Sequence, residues 1–147
     1  MKVEAAITVR RPVEEVYGFW RELQNLPSFM YHLESVEVGA DGRSRWKAKA
    51  PIGKVKWDAE VVEDRPSELI SWRSLPGSRV DHSGTVRFKT APSDQGTEVV
   101  LDMAYDAPGR VVGATVAKLF GEDPRQQVKD DLRRLKQVME TGEVVRS

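Results

Sequence analysis

The sequence predicts an α+β protein in which one antiparallel sheet, apolar on one face and charged on the other, is covered by a long C-terminal helix. Three observations lead there. Residues 35–106 form successive runs with a period of two, in which Trp46, Trp57 and Trp72 share the parity of their strands' apolar residues while Arg45, Lys47, Lys49, Asp58, Glu60 and Arg73 take the other. Past Pro108-Gly109 the period becomes helical. The only strand outside this meander is the first, and a short helical stretch follows it.

That first strand alternates Val3, Ala5, Ile7 and Val9 with Lys2, Glu4, Thr8 and Arg10. Pro12 suits the first turn of a helix, where its missing N–H has no partner to lose, and Glu14 and Glu15 sit at the dipole-favoured end. Val13, Val16, Tyr17 and Trp20 make its inward stripe. Leu23 and Leu26 predict a second short helix ending at Pro27. The segment Pro27-Ser28-Phe29-Met30-Tyr31-His32-Leu33 carries large side chains with no period, which fits a segment tucked under a neighbour or lining an opening.

Six strands follow. Val36 and Val38 lead into Ala40-Asp41-Gly42, a three-residue hairpin loop with glycine placed for positive φ. Trp46, Ala48 and Ala50 precede the turn Pro51-Ile52-Gly53, then Val55, Trp57, Ala59 and Val61. Ile70 and Trp72 mark the fifth strand. Val80, His82, Gly84, Val86 and Phe88 share one parity in the sixth, and Val99, Leu101, Met103 and Tyr105 in the seventh. Charge pairing predicts Lys47 opposite Asp58, Arg45 opposite Glu60 and Lys89 opposite Glu98; at about 0.2–1 kcal/mol each such pairs select a register without holding the sheet. Val112, Val116, Leu119 and Phe120 form a helical stripe interrupted at Gly121. Asp123-Pro124-Arg125-Gln126 then reads as N-cap, N1 and N3 of a helix whose stripe is Val128, Leu132, Leu135 and Met139 and whose end is Gly142. This element order is that of the helix-grip fold (START/Bet v 1-like), a curved seven-stranded antiparallel sheet wrapped on a long C-terminal helix.

Composition narrows the function. The 147 residues suit one domain, 1–147, with a real core. Basic and acidic residues number 23 each, so there is no charge excess of the kind a nucleic-acid binder shows. Cysteine is absent, which removes disulfides, thiolate catalysis and cysteine metal sites. His32 and His82 are the only histidines, at no ligand spacing, so neither metal nor cofactor is expected. The start lacks the pattern of a signal peptide and Val111–Phe120 is about half of the ~20 residues a membrane span needs, so the expected location is cytoplasmic.

Several segments together resemble the polyketide cyclase/dehydrase and coenzyme-Q-binding START-like branch of the SRPBCC superfamily. They are Arg11-Pro12-Val13-Glu14-Glu15-Val16-Tyr17, Leu26-Pro27-Ser28-Phe29-Met30, Trp57-Asp58-Ala59-Glu60 followed by Pro66, Ile70-Ser71-Trp72-Arg73-Ser74, Ser83-Gly84-Thr85-Val86-Arg87-Phe88, Gly96-Thr97-Glu98-Val99 and Leu119-Phe120-Gly121-Glu122-Asp123-Pro124. The resemblance implies a deep apolar cavity between sheet and last helix, and binding of a lipid, quinone, sterol or polyketide. No segment matches a catalytic motif, so the resemblance carries no catalytic residue over.

The candidate ligand contacts follow from parity. Trp46, Trp57 and Trp72 offer indole N–H groups on the inner face, where such groups want acceptors; the alternative is plain core. His82 on the same face suits a ligand carbonyl or hydroxyl, or a backbone partner instead. Met103 and Tyr105 face the stripe of Val112, Val116 and Phe120, and Phe29 and Met30 suit an entrance or a buried loop anchor. Asp58, Glu60, Asp102 and Asp106 fall on the outer parity, away from any interior chemistry. Lys129-Asp130-Asp131 with Arg133-Arg134 reads as a solvated helix face. The expected function is binding of a hydrophobic or amphipathic small molecule, for transport or sensing, with no nucleic-acid partner, transient membrane contact compatible with it and any protein partner unknown. The alternatives are a cyclase/dehydratase-like enzyme, with His82 or Tyr105 as proton shuttle, and a protein-interaction module.

Overall fold

The computed structural model describes residues 2–49, 53–78, 80–106 and 124–142. Strand β1 (Lys2–Val9) leads into helix α1 (Val13–Arg21) and a 3₁₀ helix (Leu23–Ser28). Strands β2 (Leu33–Val38), β3 (Arg43–Lys49), β4 (Lys54–Arg65), β5 (Leu69–Ser74), β6 (Asp81–Thr90) and β7 (Thr97–Asp106) follow, and helix α2 (Pro124–Thr141) ends the described chain. All seven strands pair antiparallel in the order β1-β7-β6-β5-β4-β3-β2, so the meander closes by returning its last strand to the first. The sheet curls into a half-barrel against α2. Register shifts between Leu33 and Ser35 and between Val61 and Glu63 supply local bends, since an extra residue on one strand kinks it and raises its twist.

The inner parity is the one the sequence indicates. Val80, His82, Val86 and Phe88 are all buried, as are Val99, Leu101 and Met103. On α2 the stripe Val128, Leu132, Leu135 and Met139 is buried, and Gly142 takes φ 74° as its amide donates to the Val138 carbonyl. Three bonds tie α2 to the first strand and the turn after it: Lys136 Nζ to the Thr8 carbonyl (2.8 Å), the Arg10 amide to Glu140 Oε2 (2.8 Å), and Arg11 Nε to the Met139 carbonyl (3.0 Å).

Four details differ from the sequence reading. Arg45 faces Asp58 and Arg43 faces Glu60, while Lys47 lies opposite Lys56; the β3–β4 register is two residues from the one charge pairing suggested. A two-residue slip keeps every side chain on its face, so burial does not choose between the two registers; turn length and cross-strand pairs, Trp46 opposite Trp57 among them, do. Lys89 does face Glu98. Pro27 lies inside the 3₁₀ helix and does not end it. Pro12 is the flanking residue of α1, with ψ 148°, so the helix begins one residue later. Asp131 is 1% exposed and no part of a solvated face. The expected break near Gly121, the Asp123 cap, and Ala50, Pro51 and Ile52 in the β3–β4 turn lie outside the described residues.

Candidate functional site

The inner face of β3–β6 gathers a ring cluster. Cross-strand pairing sets Trp46 opposite Trp57, and Trp72 opposite Gly84. His82 follows on β6 and sits among all three indoles, with centroid distances of 5.6 Å to Trp46, 5.7 Å to Trp57 and 6.5 Å to Trp72. Trp46 lies 5.8 Å from Trp57 and 6.1 Å from Trp72, its plane inclined 30° and 27° to theirs. From α1, Trp20 closes the group, 6.3 Å from Trp72 and 5.2 Å from Phe29. Trp20 is a member the sequence reading left in the plain core; its place on the α1 stripe put it inside, and nothing local said that it would meet Trp72.

The polar atoms of this cluster are unevenly served. Trp46 Nε1 donates to Ser44 Oγ at 2.8 Å, and the His82 amide donates to Ser74 Oγ at 3.0 Å. The indole nitrogens of Trp20, Trp57 and Trp72 are buried with no acceptor among the described residues. A buried donor left unpaired costs about 1–3 kcal/mol, so three in one cluster stand out. Burial, with the charge of His32 as a smaller cause, pushes the His82 pKa down to about 3. At neutral pH the ring is uncharged and offers one donor and one acceptor nitrogen.

A second polar group lies where the 3₁₀ helix and the start of β2 meet α2. Arg134 donates from Nε to the Phe29 carbonyl (3.0 Å) and from Nη2 to Asp131 Oδ1 (2.5 Å), and its guanidinium stands 4.0 Å from the Tyr31 ring centre. His32 Nδ1 is 3.9 Å from Asp131 Oδ2, beyond hydrogen-bond reach. Burial raises the Asp131 carboxyl to about 7, with Arg134 working against that rise. Burial and the charges of Arg134 and Lys49 lower His32 to about 4. The His32–Asp131 approach is therefore no ion pair near neutrality, because the imidazole stays uncharged. Asp131 sits three residues after Val128 and four before Leu135, which is the inward stripe, and that spacing was the signal for its burial.

The other expected contacts fall as follows. Phe29, Met30 and Met103 are buried, at 0%, 1% and 3% exposure, so Phe29 and Met30 anchor their segment under the fold. Val112, Val116 and Phe120 lie outside the described residues, as does the side chain of Tyr105. A cleft of about 930 Å³ borders Trp72, Gly84 and Met103, but most of its lining, including Glu4, Ser71, Thr85 and Asp102, belongs to the outward parity of β1 and β5–β7. Arg125 and Lys129 of α2 line it as well, so the cleft is a largely polar groove that is not confined to the far side of the sheet.

Fold and site together define a helix-grip protein whose interior carries aromatic rings and a few buried polar groups. The chain belongs to the polyketide cyclase/dehydrase and lipid transport family, whose model matches residues 9–133, as the SRPBCC resemblance implied. An uncharacterised 17.2 kDa protein of Streptomyces lincolnensis is 30% identical over 141 residues, covering 95% of this chain and 89% of that one. A crystal structure from Deinococcus radiodurans, 43% identical, superposes with a TM-score of 0.81 over 97% of this chain and 99% of its own. The Zhui aromatase/cyclase of Streptomyces sp. R1128 shares the fold, with a TM-score of 0.71 over 99% of both chains at 15% identity.

Proposed function

We propose that the protein binds a hydrophobic or amphipathic small molecule bearing an oxygen acceptor, held between the inner face of β3–β6 and α2. One observation carries this reading: the indole N–H groups of Trp57 and Trp72 are buried, on the face where the resemblance implies a ligand cavity, with no acceptor among the described residues. A ligand carbonyl or hydroxyl there would turn two unpaired donors into two hydrogen bonds while its apolar body covers the rings. Transport or sensing follows from reversible binding. Native mass spectrometry of the purified protein tests it: a co-purifying small molecule, or retention of added quinone, sterol or fatty-acyl probes, is the expected outcome. Failure of every probe, with no native adduct, rejects it.

A second reading, cyclase/dehydratase-like chemistry, gains from one observation. His82 is not the only titratable group inside: His32 and Asp131 are buried as well. A carboxyl with its pKa near 7 can donate a proton at physiological pH, whereas the two imidazoles, lowered to about 3 and 4, are weak proton acceptors there and serve as neutral hydrogen-bonding groups. Conversion of a poly-β-ketone chain by the purified protein, lost in Asp131→Asn and in His82→Ala, would establish it; equal turnover in both variants dismisses it.

A further inference from the structure

Gly84 occupies the middle of a strand, where glycine is ordinarily a weakness. Its backbone is not in the left-handed region, so conformational need does not explain it. Space does. A β-carbon built on Gly84 would lie 2.3 Å from Cζ2, 2.7 Å from Cε2 and 2.9 Å from Cη2 of Trp72. The benzo ring of that indole therefore lies directly on the bare backbone of β6. The cross-strand row runs Trp72, Gly84, Met103, Val3, so the one position without a side chain is the one beside the largest.

The obstruction would be a rigid ring, not the free end of a flexible chain. Trp72 is 1% exposed and is held by Trp20 at 6.3 Å, Trp46 at 6.1 Å and His82 at 6.5 Å. The sheet backs the ring on one side. A side chain at 84 can displace it only inward, toward α1 and α2. Whatever room the interior offers a guest shrinks by that displacement, and the Trp72 N–H moves with it.

We propose that Gly84 is the size-determining position of the interior site: by leaving β6 bare it seats the Trp72 indole flat on the sheet, and so sets how large a ring system the site admits. This rests on the interior-binding reading above, and the two can fail separately.

The first arm needs no ligand. Thermal midpoints of Gly84→Ala are measured in the natural chain and in a Trp72→Leu background. A fall of roughly 5–10 °C is expected in the natural chain, as overpacking of a core implies, and a far smaller one once the indole is gone. If Gly84→Ala alone does not fold, a folded Gly84→Ala/Trp72→Leu double variant is the supporting result. Equal falls in both backgrounds, or a double variant that also fails to fold, overturn the link between positions 84 and 72.

The second arm reads size, which a purely structural role would not move. Quenching of tryptophan fluorescence is titrated with 1,4-naphthoquinone (two rings) and 5,12-naphthacenequinone (four rings). Gly84→Ala should weaken the four-ring probe at least tenfold more than the two-ring probe. Equal weakening of both overturns the size role. If the natural chain binds neither quinone and retains no sterol or fatty acid, the interior-binding reading fails and takes the size role with it, while the first arm still reports whether the ring is seated by Gly84.

Discussion

Two regions serve their polar atoms to different degrees. Where the 29–33 segment meets α2, a carboxyl, a guanidinium, a backbone carbonyl and a tyrosine ring answer one another across two elements. In the ring cluster of β3–β6, three buried indole donors have no acceptor among the described residues. Burial alone therefore does not mark a site. The set beside α2 joins two pieces of chain and leaves the Tyr31 hydroxyl unpaired among the described residues; the ring cluster leaves three indole donors so, bonding capacity for something that is not chain.

The comparison can be broken hardest at Arg134. Arg134→Ala removes the bond to the Phe29 carbonyl and strips the buried Asp131 of its cation, so we expect a loss of about 2–4 kcal/mol in urea unfolding at pH 8. Because Arg134 holds the Asp131 pKa down, the variant's carboxyl should protonate more readily, and the loss should shrink at pH 6. A loss independent of pH would mean that Asp131 does not feel the cation.

Acid tests both regions together. His82 and His32 titrate near 3 and 4 in the folded protein against 6.5 when unfolded. Between those values the unfolded chain takes up protons that the native protein refuses, so both lower stability as the pH falls from about 6.5 to 4. Asp131 acts oppositely. Raised from 3.8 to about 7, it holds a proton in the native protein that the unfolded chain lacks, and adds stability as the pH falls through that window. Two protons against one leave a net loss of roughly 1.4 kcal/mol per pH unit between about pH 4 and 6.5. Asp131→Asn removes the opposing proton and should roughly double that slope in denaturant titrations; an unchanged slope would show that Asp131 is ionised throughout.

The smallest effect on stability should come from the ring cluster itself. Trp57→Phe and Trp72→Phe keep a ring and delete an unpaired donor. The lost N–H penalty and the lost packing work against each other, so stability should change by about 1 kcal/mol or less. Affinity for a carbonyl-bearing probe should fall about five- to tenfold, the value of one hydrogen bond. Trp46→Phe, whose donor already has Ser44, should spare affinity by comparison.

Much of this contrast is legible in the sequence. Alternation put Trp46, Trp57, Trp72 and His82 on one face, because a half-buried strand forces that pattern, and the α2 stripe followed for the same reason. What parity cannot give is which inward residues meet across elements. Trp20 on α1 and Trp72 on β5 are 52 positions apart, and only the closed fold brings their rings together. Asp131 was on the inward stripe all along, but its charge argued louder than its spacing, and the Arg134 that makes its burial tolerable looked like one more surface cation. The aperiodic run Phe29–Leu33 was visible as unusual; that it fastens to α2 through a backbone carbonyl has no signature in side-chain pattern.

The bond from Lys136 to the Thr8 carbonyl has a consequence beyond holding α2 in place. Strand β1 ends the sheet, and an unclaimed row of amides and carbonyls at such a border is a template on which a foreign strand can add. The ammonium of Lys136 occupies one of those carbonyls and keeps the helix alongside, so the same contact that completes the grip also guards this margin against aggregation.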